Sequence, residues 1–155
     1  MVSKKDLLVL AHLRNNGRKT LTELSKATSI PISTIFERLR AQREHFIRKF
    51  TVLVDFNKLG FTTRAAIVLK VKKNDRENMK KHLMNNRNVN SCFHINNGFD
   101  LLVDGVFLDL NTLEKFLEEL DEKFSIEKQQ VYFVIETFKE EAFLSFPEAI
   151  PLVEG

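Results

Sequence analysis

The spacing of apolar positions along the chain changes from helical to alternating near residue 46, and the two halves predict different architectures. Leu7, Leu10, Ala11 and Arg14 fall at helical spacing, and Leu8 and Leu13 broaden the stripe. Asn15-Asn16-Gly17 closes this first helix, because Gly and Asn accept the left-handed conformation that ends helices. Thr20-Leu21-Thr22-Glu23 reads as a capping box that opens a second helix. That helix is short, since Pro31 drives Ile30 out of helical geometry, and Pro31 is placed to open a third. In the third helix Ile35, Leu39 and Gln42 project one way, with Ile32 and Arg38 at the margins. The opposite face carries Ser33, Glu37 and Arg40, flanked by Thr34 and Phe36, with Arg43 further along. Three helices with a tight turn before the third predict a helix-turn-helix over residues 1–46.

Beyond it, Phe46 to Val54 is rich in β-branched and aromatic residues and predicts a strand, followed by a turn-rich hinge at Asp55 to Gly60. This connector, residues 47–61, could complete a wing beside the helices or pair with a partner chain. Arg64 to Lys72 alternates as a strand that is apolar on both sides. Asn74-Asp75-Arg76-Glu77 caps a helix with Met79 and Leu83 inward. Val89 to Ile95 and Phe99 to Phe107 are strands joined by the hairpin signal Asn97-Gly98. Asn111-Thr112-Leu113-Glu114 caps a second helix with the stripe Leu113, Phe116, Leu117, Leu120 and Phe124. Gln130 to Phe138 reads as the last strand.

The order β-α-β-β-α-β over residues 62–141 is ferredoxin-like, so the fold class is α+β. Such a sheet carries helices on one face only. Ala66, Val68, Leu102, Val106, Tyr132 and Val134 make the second face apolar too. Dimerisation is the simplest way to cover it; the alternative is the tail, residues 142–155, in which Phe143 to Val153 is apolar.

With 43% hydrophobic and 29% charged residues in 155, the chain can bury a core, which excludes a disordered class. No apolar run reaches the roughly 20 residues of a membrane helix, and the N-terminus does not read as a secretory signal. One cysteine, Cys92, excludes an internal disulfide and suits a reducing, cytoplasmic setting. Charge is unevenly placed. Residues 1–50 hold 11 Lys and Arg against 4 Asp and Glu, a net +7, whereas residues 51–155 hold 13 against 17. A basic helix-turn-helix on an acidic remainder points to double-stranded DNA as the partner. Ser33, Thr34, Glu37 and Arg40 would face bases, with Arg18, Lys19, Arg38 and Arg43 near phosphates.

Catalytic patterns are lacking. There is no Gly-rich phosphate loop, no paired-cysteine zinc spacing and no His-Glu-x-x-His. Cys92 and His94 point the same way on a strand, but two ligands are too few for a closed zinc site. The acids Glu114, Glu118, Glu119, Asp121 and Glu122 read as the solvated face of a helix. No catalytic residue, metal or cofactor is expected, and the chain reads as a non-enzyme.

Residues 5 to 141 together resemble the Lrp/AsnC, or feast/famine, family of transcription regulators. The resemblance rests on Leu10 to Arg18, Thr20 to Leu24, Ser33 to Leu39, Leu59-Gly60, Asn88 to Phe93, Asn97 to Leu102 and Thr137 to Glu140. It implies a cytoplasmic DNA-binding regulator that forms homodimers and often octamers. It further implies an amino acid or related metabolite bound near Asn97, Gly98, Phe99, Asp100 and Leu101, with Asp100 pairing with an effector ammonium group. The chain departs from the family pattern at Gln42 to Ile47, which is one residue shorter, and at Phe99, where Tyr is common. A sirohaem decarboxylase shares the layout, but the chain has no Trp and lacks that enzyme's Arg-rich signature after the second strand. A metabolite-binding partner without DNA binding is the third reading, and the basic N-terminus speaks against it.

Overall fold

The structure, a computed structural model, describes residues 2–153, with side chains through Ile150; Met1 and the last two positions of the tail lie outside the described residues. The chain divides into two compact units. One holds the residues up to Leu53 together with those from Phe138 onward, and the other spans Val54–Thr137.

The first unit contains α1 (Lys4–Asn15), α2 (Leu21–Thr28), α3 (Ile32–His45) and a short 3-10 helix over Pro147–Val153. Ser3 caps α1 and Thr20 caps α2, each in a reciprocal capping box with the acid three residues on, Asp6 and Glu23. Ser29 turns the chain between α2 and α3 in the left-handed region, at φ 56°. Two hydroxyls secure that turn: Ser25 Oγ donates to the Ile30 carbonyl and Thr28 Oγ1 to that of Leu24, both at 2.7 Å. Val9, Leu24, Ile30 and Ile35 form the core, sealed by Leu13, Leu21 and Leu39.

Three expectations need correction here. In α1 the fully buried positions are Val9 and Ala11, while Leu7 and Leu10 are half-buried and Arg14 is exposed. The reason is that α1 is covered from two sides, because the C-terminal segment packs on it as well. Arg14 Nε donates to the Phe143 carbonyl at 2.6 Å and its Nη2 to the Glu141 carbonyl at 2.9 Å. Residues 142–150 therefore belong to the helical unit, with Ile150 buried, and are not a detached tail. Finally, Phe46 to Val54 forms no strand within the single chain. From Ile47 the chain carries no ladder, and Phe50, Val52, Leu53 and Val54 are exposed. β-propensity supplies side chains suited to a sheet but no hydrogen-bonding edge, and none pairs with this segment among the described residues.

The second unit is a four-stranded antiparallel sheet in the order β2-β3-β1-β4, built from β1 (Thr63–Val71), β2 (Val89–His94), β3 (Leu101–Phe107) and β4 (Ile126–Phe133). With α4 (Arg76–Asn85) and α5 (Leu110–Lys123) it has the ferredoxin-like β-α-β-β-α-β order. Ala65, Ile67, Leu69 and Val71 of β1 pack with Leu101, Val103 and Phe107 of β3 beneath Met79, Leu83, Leu113, Phe116, Leu117 and Leu120 of the helices. Several boundaries shift. Lys73–Asp75 forms one turn of 3-10 helix before α4, and Asp75 accepts from the Ser125 amide at 2.7 Å instead of capping. Asp109, not Asn111, caps α5 by accepting from the Thr112 amide at 2.8 Å. β3 begins two residues later than expected, at Leu101. β4 begins four residues earlier, because it pairs along β1 from Val71↔Ile126 to Ala65↔Phe133, and Ile135 and Phe138 lie beyond it, exposed.

Gly105 is fixed by packing. A methyl group there would lie 2.6 Å from the ring of Phe107, which is itself fully buried and 5.2 Å from the Phe116 ring. Gly105→Ala is therefore expected to destabilise the sheet unit by about 1–3 kcal/mol, the usual range for overpacking, read as a lower urea midpoint at unchanged slope.

Candidate nucleic-acid interface and effector loop

The third helix carries two stripes of the same i, i+3, i+4, i+7 spacing. Ile35, Arg38, Leu39 and Gln42 form the inner one: Ile35 and Gln42 are buried, Leu39 half-buried, and the Arg38 side chain 31% exposed. Ser33, Phe36, Glu37 and Arg40 form the outer one, and all four are exposed. Among the described residues no side-chain hydrogen bond or ion pair engages Ser33, Glu37 or Arg40, whose backbones belong to the helix. Thr34 is half-buried at the side, and Arg43 is exposed with its guanidinium 5.7 Å from the centre of the Phe50 ring. The structure thus gathers Ser33, Glu37, Arg40 and Arg43 of the expected set on the outward side of one helix.

Arg38 is placed differently. Its Nη1 donates to Asp6 Oδ1 at 2.8 Å and to Ser3 Oγ at 2.9 Å, and Gln42 Nε2 donates to the same Asp6 oxygen at 2.8 Å. The other Asp6 oxygen accepts from the Ser3 amide and hydroxyl at 3.1 and 2.6 Å. One carboxylate therefore closes the α1 cap and grips α3 at two positions one turn apart, which fixes the rotation of α3 about its axis. Burial pushes the Asp6 carboxyl up, but donation from Ser3, Arg38 and Gln42 outweighs it and brings the pKa from 3.8 to about 2. The sequence signal for this role was Ser3-x-x-Asp6, a capping-box spacing; nothing local marks Arg38 as its partner.

Of the remaining cations, Arg18 is exposed beside the α1–α2 turn, where its amide donates to Asn16 Oδ1 at 3.0 Å. Lys19 lies with Nζ 3.0 Å from His12 Nδ1. Burial, and then the neighbouring Lys19 charge, hold the His12 pKa below its ordinary value, so the neutral ring accepts from the ammonium group.

In the sheet unit, Asn97 and Gly98 take positive φ of 67° and 88° in the β2–β3 turn, where Gly98 relieves the strain that a side chain would add. Phe99 is half-buried and Leu101 buried. Asp100 is tied into the sheet: its amide donates to the Leu69 carbonyl at 2.8 Å, Oδ2 accepts from the Val71 amide at 2.9 Å, and Oδ1 lies 3.1 Å from Arg76 Nη2. Its carboxylate ends β1 and pairs with α4, leaving part of Oδ1 for any further donor. Cys92 is half-buried on the helix side of β2, and burial raises its pKa, so it is held as the thiol. Among the described residues no group of three or more His, Cys, Asp or Glu is placed to hold a metal ion, and no helix is long and apolar enough to cross a membrane.

The family profile of the Lrp/AsnC ligand binding domain matches residues 64–143, and that of a winged helix-turn-helix DNA-binding domain matches residues 2–41. The chain belongs to the Lrp/AsnC family of transcription regulators. It is 29% identical over 136 residues to the HTH-type transcriptional regulator FL11 of Pyrococcus horikoshii, covering 87% of this chain and 90% of that one. Its fold matches that of a transcriptional regulator from Neisseria meningitidis in complex with L-methionine, with a TM-score of 0.83 at 24% identity over 90% of this chain and 94% of the other. LrpC of B. subtilis matches with a TM-score of 0.80 at 19% identity, over 90% and 98%. The protein is accordingly a DNA-binding transcriptional regulator, and the decarboxylase reading is not favoured.

Because the folded-state pKa of Asp6 lies below its unfolded value, its contribution is complete above pH 3.8 and is lost as pH falls towards about 2. The shift corresponds to about 2 kcal/mol. Asp6→Asn is expected to lower stability by that order at pH 7 and to flatten the acid limb of the stability curve between pH 4 and 2, measured by urea unfolding across pH.

Proposed function

We propose that residues 1–46 bind the major groove of double-stranded DNA through the outer stripe of α3. Ser33, Thr34, Glu37 and Arg40 face base edges, and Arg18, Lys19 and Arg43 lie near phosphates. Arg38 acts from within, by holding the helix through Asp6. The observation that carries this reading is the contrast between the two stripes: the inner one packs on the helical core and on Asp6, and the outer one is exposed on a unit whose first 50 residues carry a net +7. A short Ser33 lets backbone approach the groove, and arginine suits guanine edges and phosphates.

Residues 62–141 serve oligomerisation and effector binding in this reading. The face of the sheet opposite α4 and α5 carries Ala66, Val68, Leu102, Phe93 and Tyr132. Amid them Arg64 grips Asp104 with two hydrogen bonds of 2.9 and 2.8 Å. A second copy meeting this face would bury it and give a homodimer, from which an octamer can be built. The effector is a small metabolite of the α-amino acid class, held near Asn97 to Leu101, and the L-methionine bound to the Neisseria protein supports that class. Such a ligand regulates by binding one assembly more tightly than another. The protein works in the cytoplasm and catalyses no reaction.

Binding to a duplex spanning the protein's own promoter and to random duplex, across a salt series, tests the DNA assignment. Wild-type protein is expected to prefer the promoter, with log affinity falling by about 0.9 per phosphate neutralised for each decade of salt. Arg43→Ala and Arg18→Ala should weaken binding to both duplexes alike and reduce that slope by about one each per bound protomer, whereas Arg40→Ala should narrow the preference itself. Unchanged slopes in both phosphate variants would remove these residues from the interface.

A further inference from the structure

Phe36 is the exception on the outer stripe of α3. Its neighbours there, Ser33, Glu37 and Arg40, are polar, whereas a phenyl ring is 53% exposed and has no ring partner among the described residues. Ile32, one turn earlier, is also exposed, at 44%. Neither belongs to the core formed by Val9, Leu24, Ile30 and Ile35, so packing within the helical unit does not account for them. The spacing settles which way the ring points. Phe36 lies one residue from Ile35, about 100° around the helix, and shares the i, i+3, i+4, i+7 row of Ser33, Glu37 and Arg40.

We infer that Phe36 is a specificity-determining residue whose ring packs on the C5-methyl group of thymine in the major groove. The inference rests on α3 being the helix that enters the groove. That floor presents hydrogen-bonding edges throughout and one apolar group, the thymine methyl. A helix face that combines a short hydroxyl, a carboxylate and an arginine with a phenyl ring matches a floor of mixed polar edges and methyls. The basic character of residues 1–50 makes a polyanion, not an apolar protein groove, the occupant of this face. The operator therefore contains thymine at a fixed position in each half-site, opposite the first half of α3.

The test starts from duplexes selected by the wild-type full-length protein out of a random pool. Each thymine of the selected site is then replaced in turn by deoxyuridine, which removes the methyl and leaves base pairing intact. Wild-type affinity is expected to fall about fourfold at one or two positions per half-site, the effect of one buried methyl. Phe36→Ala should bind the thymine duplex several-fold more weakly and be indifferent to deoxyuridine there; because the ring is exposed, its thermal midpoint should stay within a degree or two of wild type. Phe36→Leu should retain part of the discrimination. Deoxyuridine that affects neither protein, or both equally, overturns the proposal while leaving DNA recognition by α3 intact. A pool that yields no consensus overturns that underlying reading, and the proposal with it.

Discussion

A sheet has two faces, and the sheet unit has helices of its own for only one of them. α4 and α5 bury Ile67, Leu69, Val103 and Phe107 on their side. The other side holds Ala66, Val68, Leu102 and the exposed Phe93 and Tyr132 around the ion pair Arg64–Asp104, whose side chains are about 20% exposed. Burial raises the Asp104 carboxyl, but donation from Arg64 and Asn90 more than reverses this, so the pair is charged where it stands. A charged pair with both carboxylate oxygens bonded can be covered by apolar surface at tolerable cost, whereas an unpaired charge could not. The oligomeric reading grows from this constraint. Two such faces meeting about a two-fold axis would give a symmetric dimer, and DNA half-sites of matching symmetry are then the natural target.

The helical unit solves the complementary problem of keeping one helix face empty. Its small core of Val9, Leu24, Ile30 and Ile35 holds α3 by its apolar edge, and Asp6 holds it by its polar edge. The C-terminal segment adds a third restraint by packing on α1 through Ile150 and the Arg14 hydrogen bonds. None of these uses the outer stripe of α3. Buried polar groups are expensive, and Arg38 Nε and Gln42 Oε1 lack partners in the network. Beyond the stability that comes from the lowered Asp6 pKa, the network holds α3 in a single orientation, because both Arg38 and Gln42 donate to the same carboxylate oxygen. Recognition sites need their side chains held within about 0.5 Å and 10–20°.

What the sequence disclosed follows from how local each signal is. The Thr20–Glu23 capping box, the break before α3 at Pro31, the Asn97-Gly98 hairpin and the Leu113 to Leu120 stripe lie within a few residues of their cause, and all were legible, whereas α1 ends at an extended Asn16 and not in the left-handed closure expected at Asn15-Asn16-Gly17. β4 was misplaced because its first half, Ile126-Glu127-Lys128-Gln129-Gln130, is mostly polar and is a strand only by pairing with β1. Phe46 to Val54 shows the converse: strand-like residues that find no edge within their own chain among the described residues. In the site, the outward residues of α3 were legible from helical periodicity alone. The inward role of Arg38 was not, because it depends on Asp6, 32 residues away, and the strapping of α1 depends on residues more than 120 away.

The mass of the full-length chain in solution, measured by light scattering across micromolar concentrations, tests the account of the open sheet face most directly. The expected result is an even multiple of 18.0 kDa at every concentration where the fold is intact. A folded species that stays at 18.0 kDa throughout that range would contradict it.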